Sequence, residues 1–380
     1  MRIAMSSYRF DQQGGIERAS YEVASGLAAR GHEVTLLAHA VDPPPAPPLR
    51  WQRVTLPPHP RLVVPALYPR AASRQLDRTG VDLTHNQGGC ALLGQDVLTA
   101  HSCHRAWWEL KRLHGETARA LLNPRHHEVL QVERLNYRPG AYQHVIAVSS
   151  GLKAELQHHY GIPDDRVTVV PNGVDLARFR PPDRAAVRAE VRARHGYAPD
   201  DLVLLFVGKE FRRKGLAPAV DALAGLPEHV RLLVVGGDDP APYAARARAH
   251  GVRHRVTWVG HSARVEDYFS AADLFVLPTL YESFGLVAIE AAAAGVPVVT
   301  TRVSGIEEYV VDGVNGRFVE RDGASVAAVV ADLAADPDRR ASMGRAALAS
   351  AQAYTWEAAV DGTLAVYERV LAERRRAGRR

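Results

Sequence analysis

Cysteine is nearly absent from this chain: Cys90 and Cys103 are its only two, and they form neither a CxxC pair nor a Cys/His spacing of the metal-binding kind. That argues against a disulfide framework and a structural zinc site, and leaves two buried thiols in a reducing compartment as the expectation. Long apolar runs are missing as well. No stretch approaches the roughly 20 residues that a membrane-spanning helix needs, and the segment from Met1 to Tyr8 lacks the apolar centre of a signal peptide. A cytoplasmic protein is expected, with any membrane contact peripheral and at the inner face. Lysine is scarce beside arginine, and the formal net charge is +5. This favours anionic partners without choosing among phosphorylated sugars, anionic lipid and nucleic acid. No nucleic-acid motif is present, so no nucleic-acid partner is expected. A GxGxxG opening is missing too, since Gly14-Gly15-Ile16-Glu17 is not one, which argues against a dehydrogenase.

What is present suffices for two ordinary domains: 380 residues, 47% hydrophobic and 23% charged. A strand over 2–6, a glycine-bearing loop over 11–15, a helix over 16–30 stopped at Gly31 and a strand over 34–38 form a β–loop–α–β opening. That order begins a doubly wound parallel sheet. Residues 42–69, with Pro43-Pro44-Pro45 and Pro47-Pro48, lack too many amides for a regular helix or central strand and read as surface loop or edge. Further strands fall at 83–85, 97–101 and 145–148, with a long helix-compatible stretch over 104–137. After Pro171-Asn172-Gly173 the alternation restarts, with strands at 202–207, 232–235, 256–259, 274–277 and 296–300 and helices at 217–224 and 286–294 between them. The expected fold is therefore α/β: two Rossmann-like doubly wound domains facing across a cleft. Residues 1–171 form the first and 172–355 the second, and a terminal helix within 356–380 can pack back on the N-terminal domain.

The sharpest chemical signal is Leu280-Tyr281-Glu282-Ser283-Phe284-Gly285-Leu286-Val287-Ala288-Ile289-Glu290. It follows the strand 274–277, so Glu282 falls in the loop at that strand's carboxyl end, where open α/β sheets bind ligands. A helix starting near 283–285 would turn its first free amides toward a phosphate. From one anchored diphosphate, Glu282 would face a sugar and Glu290 would reach ribose hydroxyls. Two glutamates also suggest a glycosidase pair, but one in a loop and one on the helix behind it serve different parts of a longer ligand. Asp238-Asp239 is the nearest acidic pair to a metal motif and reads as a solvated turn.

Glu282 and Glu290, with seven residues between them, resemble the paired-glutamate motif of the retaining family-4 glycosyltransferases. Gly14-Gly15-Ile16-Glu17-Arg18 resembles that family's N-domain glycine loop. The run from Val207-Gly208-Lys209 through Phe211-Arg212-Arg213-Lys214-Gly215 is similar to its basic phosphate loop, and Val170-Pro171-Asn172-Gly173-Val174-Asp175 to its hinge. The resemblance implies the two-domain GT-B type, a nucleotide sugar held mainly by the C-terminal domain, and front-face transfer with retention. It implies no cofactor and no metal, because Lys209, Arg213 and Lys214 supply fixed cations for the diphosphate. Lys209 stands where many members have arginine and loses the bidentate fork. The catalytic set so implied is Glu282, His101 and Lys214, with His104 a competitor for His101. The donor-binding set is Gly14, Gly15, Lys209, Arg213, Lys214, Ser283, Phe284, Gly285, Leu286 and Glu290.

The phosphate loop also looks like that of lipopolysaccharide-core glucosyltransferases, which makes UDP-glucose the default donor and GDP-mannose the second. The acceptor is a glycan, a lipid-linked or a small-molecule hydroxyl compound; oligomeric state is open. Trp107, Trp108 and the basic residues of 105–112 and 119–134 either meet an anionic or lipid-linked acceptor or pack on their own domain. Arg374-Arg375-Arg376 and Arg379-Arg380 read as a solvated end. The alternatives are a non-catalytic sugar-nucleotide-binding protein and a sugar-nucleotide epimerase of similar fold.

Overall fold

A computed structural model describes residues 1–11, 14–44, 47–56, 63–76, 80–88, 92–113 and 124–377. Cys90, Arg119, Arg379 and Arg380 lie outside the described residues. The chain divides into two compact units, one comprising Met1–Gly173 with the segment from Trp356 onward, the other Val174–Thr355. No helix among the described residues is long and apolar enough to cross a membrane.

The first unit is built on β1 (Arg2–Ser6), β3 (Glu33–Ala38), β5 (Leu49–Arg53), β6 (Leu83–Gln87), β7 (Val97–Ala100), β8 (His144–Ala147) and β9 (Val167–Val169), with β2 (Arg9–Asp11) and β4 (Ala40–Asp42) as a separate short pair. The main sheet runs β5-β3-β1-β6-β7-β8-β9, parallel throughout, so the order reverses direction between β1 and β6. Strands β1, β7 and β8 are largely apolar and buried, as a sheet covered on both faces requires, whereas the equally buried β6 is mostly polar. The helix Trp356–Ala377 belongs to this unit: Val360, Val366, Tyr367 and Val370 are buried, and Arg374 ion-pairs with Asp96.

One sequence expectation fails here, and two details go beyond what the sequence displayed. A helix, Val64–Gln75, begins inside the proline-rich stretch. One proline sits in its first turn, where the amide has no intrahelical partner anyway, and Pro69 removes a single bond further in. The stretch 104–137 contains two helices, His104–Leu113 and Pro124–Tyr137, and residues 114–123 lie outside the described residues. The three-residue strands β2 and β4 were not expected; they are too short to show a period.

The second unit carries β10 (Leu202–Val207), β11 (Val230–Val235), β12 (Val256–Gly260), β13 (Leu274–Leu277), β14 (Val298–Thr300) and β15 (Gly316–Phe318) in the parallel order β12-β11-β10-β13-β14-β15. Direction reverses between β10 and β13, which places the topological switch point at their carboxyl ends. Short β15, at the edge, also escaped sequence reading. Each unit thus has the α/β, doubly wound, Rossmann-like order.

Candidate functional site

In the second unit, the loops after β10 and β13 meet at the switch point. The chain leaves β10 through Gly208 and Lys209, passes Glu210 in the left-handed region (φ 57°), and makes one helical turn, Phe211–Lys214. Asp238 caps that turn by accepting from the Phe211 amide at 2.9 Å; the acidic pair read as a solvated turn is partly structural. Gly215, at φ 82°, ends the turn, and a Cβ there would lie 2.0 Å from the Pro278 carbonyl oxygen. This approach stitches the loops together, and the Leu280 amide donates to the Arg213 carbonyl at 2.8 Å.

The stitching places two cations on one carboxylate. Glu282 Oε1 accepts from Lys214 Nζ at 2.9 Å and from Arg213 Nη1 at 3.0 Å, and Arg213 also donates to the Tyr281 carbonyl. Lys214 and Glu282 are 8% and 9% exposed, so neither is a surface charge. Burial pushes the Glu282 carboxyl up, but Lys214 and Arg213 outweigh it and hold it below its usual range. Burial likewise pushes Arg213 down, and Glu282 with Glu210 more than restores it. Arg213 also ion-pairs with Glu210 at 2.9 Å, so two cations meet two carboxylates here, one of them the exposed Glu210.

The helix Leu286–Ala293 follows, its start marked by Gly285 at φ 80°. Its onset falls just past the expected 283–285. Glu290 is buried and lies about 6 Å along the axis from Leu286. Ser283, Phe284 and Gly285 are buried in the approach to the helix. Tyr309 fixes that approach by donating to the Phe284 and Gly285 carbonyls at 3.0 and 2.9 Å. Its phenol is pushed up by burial first, then by Glu282, Tyr354 and Glu290. Both glutamates thus act electrostatically on the same buried phenol. Gly305 packs against the same segment: a Cβ there would lie 2.3 Å from the Phe284 amide nitrogen. Tyr309 and Gly305 escaped sequence reading, since both act from about twenty residues downstream and belong to no local pattern.

Lys209 differs from its neighbours: it is exposed, and among the described residues its ammonium makes no ion pair with this cluster.

Gly14, Gly15 and His101 belong to the first unit. The Gly14 amide donates to Asp11 Oδ1 at 3.2 Å, and Gly15 opens the helix Gly15–Ala29. His101 stands just past β7 at the sheet's carboxyl edge, with Nε2 3.2 Å from Gln87 Oε1. Burial lowers its pKa to about 4, so it is neutral near pH 7. His104 makes a different contact, with Nε2 2.9 Å from His126 Nδ1. Trp108 is buried beside Leu130, and Lys111 Nζ lies 4.8 Å from the Trp107 ring centre.

Comparison with known proteins gives a consistent match. Residues 13–178 match Glycosyltransferase Family 4, and residues 187–349 match Glycosyl transferases group 1. The chain is 40% identical over 251 residues to the D-inositol 3-phosphate glycosyltransferase of Xylanimonas cellulosilytica, covering 61% of this chain and 60% of that one. The match thus spans about three-fifths of that relative's length. Among solved structures, WaaG, a glycosyltransferase involved in lipopolysaccharide biosynthesis, superposes with a TM-score of 0.81 at 26% identity, covering 95% of this chain and 98% of that one. Sucrose-phosphate synthase from Thermosynechococcus elongatus gives 0.81 at 26% identity, covering 98% and 99%.

Proposed function

Because the chain belongs to the family-4 glycosyltransferases, of GT-B type, we propose that it moves a hexose from a nucleotide sugar to an acceptor hydroxyl, with retention and without a metal. The observation that carries this reading is the Arg213–Lys214–Glu282 cluster beside the start of the helix Leu286–Ala293. A departing diphosphate develops negative charge that fixed cations and helix amides can meet. Arg213, Lys214 and the helix start take the diphosphate. Glu282 holds the cations in place and faces the sugar, and Glu290 takes the ribose hydroxyls. His101, with the Gly14-Gly15 turn, serves the reacting sugar from the first unit. The leaving phosphate assists deprotonation of the acceptor, so neither glutamate is a covalent nucleophile.

UDP-glucose is the first donor to test and GDP-mannose the second. The relative's name points to a phosphorylated polyol as the first acceptor to try, which suits the net charge of +5. The decisive assay incubates the protein with a panel of sugar nucleotides in chelator, with and without inositol phosphate, and measures released nucleoside diphosphate by mass spectrometry. Release from one donor, with a glycoside of retained anomeric configuration, is expected. Activity abolished by chelator and restored by Mg²⁺ would sink the metal-free mechanism. Nucleotide binding without any turnover would favour a non-catalytic binder.

A further inference from the structure

A chain of buried polar groups runs beneath His101 in the first unit, and no motif of the sequence accounts for it. Gln87 ends β6 opposite Thr99 of β7 and is 3% exposed. Its Oε1 faces His101 Nε2 at 3.2 Å. An amide oxygen only accepts, so Nε2 carries the proton and Nδ1 keeps its lone pair. The amide nitrogen of Gln87 lies over the His85 ring, 3.3 and 3.4 Å from the two ring nitrogens.

His85 is itself held from both sides. Tyr367 Oη lies 2.5 Å from Nδ1, and Thr99 Oγ1 lies 2.7 Å from Nε2. Tyr367, on the helix Trp356–Ala377, is wholly buried, and among the described residues its hydroxyl has His85 as its hydrogen-bond partner. Its proton therefore goes to Nδ1, and His85 Nε2–H donates to Thr99. Burial lowers the pKa of His85 to about 3, so both histidines are neutral near pH 7, each with one donor and one acceptor. Gln87, Thr99 and His101 also line one small cavity with Asn172 and Thr363. Apolar side chains would fill this space without the desolvation that three polar side chains incur, whereas a satisfied polar network fixes one orientation.

We propose that Gln87 is a positioning residue for His101: its side-chain carbonyl, seated on the Tyr367–His85–Thr99 chain, holds His101 as the Nε2–H tautomer with Nδ1 as acceptor. This rests on the reading that His101 acts in transfer, and it extends the candidate site to the C-terminal helix.

The test uses the full chain labelled with ¹⁵N-histidine, with His101 assigned by its loss in His101→Gln. Wild-type protein shows a protonated Nε2 and a bare Nδ1. Gln87→Glu, nearly isosteric, puts a carboxylate against Nε2–H; His101 then titrates at higher pH, and the acid limb of the kcat profile moves the same way. Gln87→Leu gives a mixed tautomer and lowers kcat about 10–100-fold, the scale of losing a group that orients a histidine, with donor KM little changed. Tyr367→Phe moves both readouts in the same direction by less. A His101 protonated on Nδ1 in the wild type, or a tautomer and titration indifferent to both Gln87 variants, overturns the proposal. If the tautomer responds as expected but His101→Gln keeps wild-type kcat, the catalytic role of His101 falls and the positioning of its ring survives as structure alone.

Discussion

At Glu282 a single carboxylate oxygen answers Lys214 and Arg213 at 2.9 and 3.0 Å. Truncating it would leave both cations buried without that partner, a change that costs more than the pair contributes. Glu282→Ala is expected to lower kcat by about 10²–10³-fold, the scale of losing one preorganised electrostatic group. Glu290→Ala, on the helix that follows, should chiefly raise donor KM. Steady-state kinetics of the two variants checks this split; wild-type kinetics in both would remove them from the site. The sequence displayed these residues because they sit in short contiguous strings. Tyr309, Gly305 and Gln87 were illegible for the opposite reason. Each acts through a tertiary approach, and nothing adjacent to it in the chain signals a partner.

Among the elements, the turn Phe211–Lys214 is the most exposed to disturbance, having one helical turn and a left-handed Glu210 before it. Asp238, from the loop after β11, caps it. Asp238→Ala should cost about 1 kcal/mol of stability, typical of a lost cap, and raise donor KM by letting Arg213 and Lys214 drift. Asp238→Asn, which still accepts a hydrogen bond, should restore most of both. Denaturant melts and donor titrations decide, and an Ala variant with unchanged KM would confine Asp238 to folding. Long apolar strands such as β10 and β13 were legible to the residue, because buried parallel strands announce themselves as continuous apolar runs. The helix Val64–Gln75 was not, because it tolerates one proline in its first turn and a second, Pro69, in its interior, where sequence rules expect a break.

For the whole molecule, titration is unevenly shared. Burial lowers the pKa of His85 to about 3 and those of His101 and His144 to about 4, all in the first unit. Unfolded histidine titrates near 6.5, so above that pH both states are neutral and the contribution to stability is whole. As pH falls from about 6.5 toward 4, the unfolded chain takes up protons that the folded one refuses, and stability is lost. Glu133, raised to about 7 by burial, acts in the opposite sense over the range from 4.5 to 7 and offsets part of this. The first unit should therefore melt at lower temperature as pH drops from 6.5 to 4. Calorimetry with limited proteolysis would locate the loss, and a first-unit transition that stays fixed over this range would refute it.

The terminal helix that completes the first unit has a bearing on how the chain is made. A ribosome releases Met1–Gly173 long before Trp356–Ala377 exists. At ~5–20 residues per second, synthesis of the intervening segment takes roughly 10–40 s. During that interval the buried faces of His85 and its neighbours await Tyr367, while Val174–Thr355 emerges as an uninterrupted unit. The half made second can thus finish first, while the half made first lacks its closing helix until Trp356–Ala377 has left the tunnel.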